Sequence, residues 1–237
     1  MFQMHPAIDT PADETILWRY MNLERFLALL HARALYLARL DSFVDPWEGV
    51  WPNTVVQALK SEAGEFSHYG TILEAAAKLK YGSFVSCWHA SSTESAALWD
   101  LYSGKSGVAI RSTVKALKRA LSFPASFFIG SVRYLDFDKE AVPVGNMLVL
   151  PFLKRKSFEH EKEVRVLYWD PKRVDWNNPE AGESGIAMEV DPAVLIDEVY
   201  LSPASPDWLL KPLEELCVKF GFDVPVIRSS LYDKQVY

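Results

Sequence analysis

The run Lys154-Arg155-Lys156-Ser157-Phe158-Glu159-His160-Glu161-Lys162-Glu163-Val164-Arg165 alternates three carboxylates with basic groups and leads into an apolar strand. At strand spacing Glu159, Glu161, Glu163 and Arg165 point to one face. Carboxylates in a row raise one another's proton affinity unless cations answer them. Arg165 and the Lys-Arg-Lys run are the cations at hand. Two chemistries are open: an acid/base or cation-stabilising site, or a solvated, charged strand edge that discourages edge-to-edge pairing.

Two further stretches carry polar groups on apolar strands. In Trp18-Arg19-Tyr20 the arginine sits between aromatics. It can take an anion such as a phosphate bidentately, or stack on a neighbouring ring. Cys87-Trp88-His89-Ala90-Ser91-Ser92-Thr93 ends a strand in hydroxyl groups. His89 there is a ligand contact or a structural histidine, and Thr93 suits a helix cap. No nucleophile elbow surrounds these serines. The sequence shows neither a phosphate-cradling Gly-rich loop nor a Gly-x-Gly-x-x-Gly fingerprint. No pair of cysteines or histidines has zinc-ligand spacing.

The elements that must position these residues can be read from periodicity. Strands are expected at Thr15–Tyr20, Ala34–Leu40, Ser83–His89, Gly107–Arg111, Phe127–Leu135, Val164–Trp169, Gly185–Val190, Ile196–Leu201 and Val224–Ser229. Helices are expected after the Asn22 cap, at Asn53–Glu65, Thr71–Lys80 and Thr93–Tyr102, after the Thr113 cap, and at Trp208–Phe220 with Gly221 ending it. Asp41 to Gly49 is rich in turn residues, and Pro46 forbids a helix through it. Irregular alternation of short strands and helices predicts an α+β fold, a mixed β-sheet core with surrounding helices. Residues 1–14 are expected to be a flexible N-terminus and 15–237 one domain.

The 237 residues suffice to bury a core without staples, and 49% are hydrophobic against 24% charged. A net charge of −6 argues against a general nucleic-acid or anionic-membrane binder. No window approaches the roughly 20 apolar residues of a membrane span. The two cysteines, Cys87 and Cys217, read as buried small hydrophobes, and a reducing cytoplasm is the expected location.

In order, several boxes resemble a bacterial family. They are Trp18-Arg19-Tyr20, Leu40 to Glu48 with its Asp45-Pro46-Trp47-Glu48 core, and Ser86-Cys87-Trp88-His89. Leu98-Trp99-Asp100-Leu101-Tyr102 and Gly107-Val108-Ala109-Ile110 follow, then Lys156-x-Phe158-x-x-Glu161-x-Glu163-x-Arg165. The tail segments Leu201-Ser202-Pro203 and Val226 to Leu231 fit as well. Over roughly residues 16–231 the chain resembles the domain-of-unknown-function family 2971, with Val44 where asparagine is usual.

The layout is also similar to that of ADP-ribosyltransferases: an early strand-borne Arg, a hydroxyl-rich strand end, then Glu-x-Glu. That resemblance implies a split mixed sheet gripping NAD without a dinucleotide fingerprint. Arg19, with Tyr20 beside it, would hold the pyrophosphate, and Ser91 or His89 would shape the nicotinamide pocket. Trp88 or Tyr102 would stack on nicotinamide. Glu163, with Glu161 as companion, would stabilise the oxocarbenium-like ribose. The implied activity is ADP-ribose transfer from NAD to an unknown acceptor, as in bacterial toxins or anti-phage effectors. The alternative is a non-catalytic ligand- or partner-binding module whose Glu-x-Glu-x-Arg box is a structural ion-pair network. A third reading takes Asp45, Glu48, Glu161 and Glu163 as oxygen ligands for magnesium in phosphoryl chemistry.

Overall fold

Asn22 opens the first helix by accepting the Arg25 N–H on its side chain, and Arg33 closes it in the left-handed region at φ 47°. This helix, α1 (Leu23–Ala32), separates β1 (Ile16–Met21) from β2 (Ala34–Arg39). Ten residues are too few for an isolated helix to be stable. Burial of Phe26, Leu29 and Leu30 holds it, each side chain contributing about 1.5–3 kcal/mol. The computed structural model describes residues 1–62, 68–122 and 124–234.

The chain continues through α2 (Asn53–Glu62), α3 (His68–Leu79), β3 (Ser83–Ala90), α4 (Ala96–Tyr102), β4 (Val108–Thr113) and α5 (Val114–Ala120). Then come β5 (Phe128–Ser131), β6 (Arg133–Leu135), β7 (Leu153–Arg155), β8 (Glu163–Trp169) and β9 (Gly185–Glu189). The short α6 (Pro192–Leu195), β10 (Glu198–Leu201), α7 (Leu210–Lys219) and β11 (Val226–Arg228) complete it. Nine strands form one mixed sheet, antiparallel except for the β10–β11 pair, and β6 pairs with β7 in a separate parallel ribbon. The protein is therefore α+β, as its alternating pattern predicts.

β3 is the hub of the sheet. One edge pairs with β8 from Ser83 to His89. The other edge is shared: β2 takes Phe84 and Val85, and β1 takes His89 and Ala90. Ser86, Cys87 and Trp88 face no strand on that edge, so β1 and β2 fork apart there.

Alternation assigns the two faces. Leu17 and Met21 of β1, Phe84 and Trp88 of β3, and Val164 and Val166 of β8 join the large core beneath α1, α5 and α7. Val85 and Cys87 of β3 and Leu167 and Trp169 of β8 pack on the other face with Leu40 and Phe152. Trp18 and Tyr20 meet Leu98 and Trp99 of α4 on that second face. Trp51 is core beside Val55 and Leu59, whereas Trp208 is exposed.

Several expectations need correction. Phe127–Leu135 is not one strand: Val132 gives its N–H to the Glu163 carbonyl, and the chain leaves β8 for β7. The fourth helix begins at Ala96 under Ser95, not at Thr93, whose N–H instead bonds the Ser91 hydroxyl. The second helix ends at Glu62 among the described residues, and 63–65 lie outside them. The first residues pack on the domain: Gln3 N–H donates to Phe127, Ser131 N–H to Asp9, and Ile8 is buried. Cys217 is buried, but Cys87 is only half-buried.

Candidate functional site

The carboxylate run does not form the single strand face that its spacing predicts. Lys156–Glu161 winds into a 3₁₀ helix, and Lys162 closes it in the left-handed region at φ 40°. The strand starts only at Glu163. Glu159 is consequently left exposed, while the turn folds Glu161 back beside Glu163.

Together with Glu48 these residues build a buried ion-pair network. Arg165, fully buried at the centre of β8, donates Nη1 and Nη2 to the two oxygens of Glu48 at 2.9 and 3.0 Å. Its Nε donates to Glu163 Oε2 at 2.7 Å, and Nη1 also reaches the Pro151 carbonyl at 2.7 Å. Lys154 of β7 donates to Glu161 and to Glu163 Oε1, and lies 3.4 Å from Glu48. Both oxygens of Glu163 are thus taken by cations, and the residue is 6% exposed. Arg155 reaches outward to Asp45 at 2.8 Å and stacks near Trp47 and Phe158. The turn from Asp45 to Gly49 aims Glu48 inward: Asp45 accepts the Trp47 N–H, and Gly49 adopts φ 72°.

The electrostatics follow from this geometry. Burial alone would raise the Glu163 carboxyl, but Arg165 and Lys154 hold it well below the usual carboxylate range. Burial works against the charges of Arg165 and Lys154 too, and Glu163 and Glu48 more than offset it, leaving both cations above their ordinary values. Glu161 goes the other way: burial and the neighbouring Glu163 push it up to about 7. Its outer oxygen accepts the hydroxyl of Tyr102, a half-exposed residue at the end of α4, at 2.9 Å. Burial raises that phenol above its ordinary value, so it stays a donor.

Of the residues singled out in the sequence, Tyr20, His89, Tyr102, Glu161 and Glu163 gather on or beside one face. His89 Nδ1 meets the Glu161 carbonyl at 2.7 Å, and burial lowers its pKa. The Tyr20 ring lies 6.3 Å from His89, and its hydroxyl accepts the Ser95 N–H. Ser91 follows β3, where its carbonyl accepts the Trp18 indole N–H and its hydroxyl the Thr93 N–H. A cleft of about 310 Å³ opens beside these strand ends between Ala90, Ser131, Tyr134, Glu159 and Lys162. Glu163 contributes to its wall, where its N–H donates to the Tyr134 hydroxyl.

Arg19 and Trp88 stand apart from that group. Arg19 leaves β1 on the side of Leu17 and Met21, and Glu163 leaves β8 on the side of Leu167. A dinucleotide held by Arg19 at its pyrophosphate and by Glu163 at its ribose would have to cross the sheet. The β1–β2 fork is bridged by Arg19 itself, which donates to the Ser86 hydroxyl and to the Tyr36 carbonyl. These residues do not fit NAD in that arrangement.

Sequence reasoning left Glu48 and Lys154 at the margin and named Ser86 only as the start of the strand end Ser86 to Thr93. The signals for the first two were the Asp45-Pro46-Trp47-Glu48 box and the Lys-Arg-Lys run. Among the described residues no group of three or more histidines, cysteines or carboxylates is arranged to hold a metal ion. No helix there is long and apolar enough to cross a membrane. No protein-family model matches the chain, and no curated protein matches it.

Proposed function

We propose that this chain works by binding rather than by catalysis, as a ligand- or partner-binding module whose Glu-x-Glu-x-Arg box is a structural ion-pair network. The observation that carries this reading is the closure of Glu163: both its oxygens are bonded to Lys154 and Arg165, and little of it is exposed. A carboxylate that stabilises a sugar cation must face the reacting atom with a free oxygen. On this reading the boxes that resemble family 2971 mark the scaffold. Glu48 belongs to one box and Glu161, Glu163 and Arg165 to another; Arg165 pairs with Glu48 and Glu163, and Lys154 with all three glutamates.

The competing ADP-ribosyltransferase-like reading keeps two supports. β3 has a forked edge, and Glu161 holds its proton up to about pH 7, as a general acid does.

Nicotinamide release from NAD separates the two readings. The wild-type chain is expected to release none above a protein-free control. Arg165→Met is expected to lower the melting temperature by about 6 °C or more, because it leaves buried carboxylates uncompensated. Nicotinamide release by the wild type that disappears in Glu163→Gln, with melting unchanged, would overturn the binding reading.

A further inference from the structure

Where β1 and β2 part over β3, donors and positive charge collect without an anion to answer them. Arg19 is half-buried and spans the fork, giving one N–H to the Ser86 hydroxyl and another to the Tyr36 carbonyl at 3.3 Å. Its guanidinium lies 5.7 Å from the centre of the Trp88 ring. No carboxylate is within ion-pair distance of it among the described residues; after burial, which lowers it, Cys87 raises its value and Arg25 of α1 lowers it. Burial pulls Arg19 down to about 10, so it is still a cation at neutral pH.

Trp88 is 1% exposed, and its indole N–H has no acceptor among the described residues. Buried donors are ordinarily satisfied, so an orphan beside an unanswered arginine is informative. Ser86 is also fully buried. It accepts from Arg19, and its own O–H is given to no described group. Among the described residues the groups that accept from Arg19 are the Tyr36 carbonyl and that hydroxyl. Both are uncharged, so the guanidinium has no counter-charge among the described residues.

We propose that the fork between β1 and β2 is an oxyanion site of the phosphate class, formed by the Arg19 guanidinium, the Trp88 indole N–H and the Ser86 hydroxyl. This inference rests on the binding reading and names the ligand chemistry of that module. Donors from two strands suit an anion whose oxygens point in several directions better than a planar carboxylate, which an arginine takes edge-on. The ligand is a free phosphate or the phosphoryl end of a larger molecule.

The test uses the full chain with ¹⁵N-labelled tryptophan. The Trp88 indole signal is identified by its loss in Trp88→Phe. Millimolar inorganic phosphate, pyrophosphate, ADP-ribose and NAD are then added separately, against sodium chloride at equal ionic strength. The expected result is a downfield movement of the Trp88 indole proton with phosphate or pyrophosphate, none with chloride, and none in Arg19→Gln. Movement with inorganic phosphate identifies the free ion as sufficient, and movement with pyrophosphate alone identifies a phosphoryl end.

Arg19→Gln in chloride is expected to melt no lower than wild type, because it removes a cation without a counter-charge. Should that variant fail to fold, Arg19→Lys keeps the charge without the planar fork and is expected to weaken binding about tenfold. An unmoved Trp88 signal with every phosphate, an equal response to chloride, or unchanged affinity in Arg19→Lys would overturn the site. Nicotinamide release by the wild type would overturn the binding reading and leave this site standing. A silent Trp88 without nicotinamide release would do the reverse.

Discussion

Glu48, Glu161 and Glu163 face two cations, Lys154 and Arg165, so the fully ionised network carries one excess negative charge. A proton on Glu161 cancels it, which agrees with the upward shift of that carboxyl from 4.5 to about 7. Because the folded state holds this proton more tightly than the unfolded chain, the stability it contributes is full below about pH 4.5. That contribution is lost as pH rises to about 7. Glu163, held well below its ordinary value, contributes with the opposite sign: its share is present above 4.5 and lost on acidification. The melting temperature is therefore expected to peak at mildly acidic pH and fall toward pH 7. Glu161→Gln, which mimics the protonated form, should flatten that fall, and an unchanged slope would show that another group titrates. At this scale the sequence revealed which residue types act together. It did not reveal that Glu159 drops out, because that depends on a left-handed turn at Lys162, a residue with no special liking for it.

The helix ends are local and were mostly readable. Asn22 and Thr113 cap as their residue types suggest, each accepting a backbone N–H three residues on. At α4 four hydroxyl residues compete within Ser91 to Ser95. Ser95 takes the cap because its own N–H is held by the Tyr20 hydroxyl, a tertiary contact beyond the reach of local pattern. Ser95→Ala should therefore destabilise by about 1 kcal/mol and loosen Tyr102 over Glu161, whereas Thr93→Ala should be nearly neutral in a denaturant titration. Equal effects of the two would refute this assignment. Lys162→Gly should raise stability by up to about 1 kcal/mol, since glycine adopts φ 40° without the penalty that a side chain carries. A loss of stability there would show that the lysine side chain contributes more than its backbone strain takes away.

The whole molecule separates its polar groups by sheet face, and this separation was the least readable feature. Alternation tells which residues of one strand share a side, but only pairing order relates β1 to β8 through β3. Once that order is known, Arg19 and Glu163 fall on opposite faces of the sheet. The packing of the N-terminal residues also escaped composition, because their backbone bonds to Phe127 and Ser131 and the burial of Ile8 are tertiary contacts. That the network holds the fold is tested most directly by a double-mutant cycle on Glu48→Gln and Arg165→Met, read by urea unfolding at pH 7. The paired geometry of that contact calls for a coupling free energy of about 2 kcal/mol or more, the double variant losing less than the two single losses together. Additivity within about 0.5 kcal/mol would mean that the pair does not act as a unit, and would contradict the structural role given to the box.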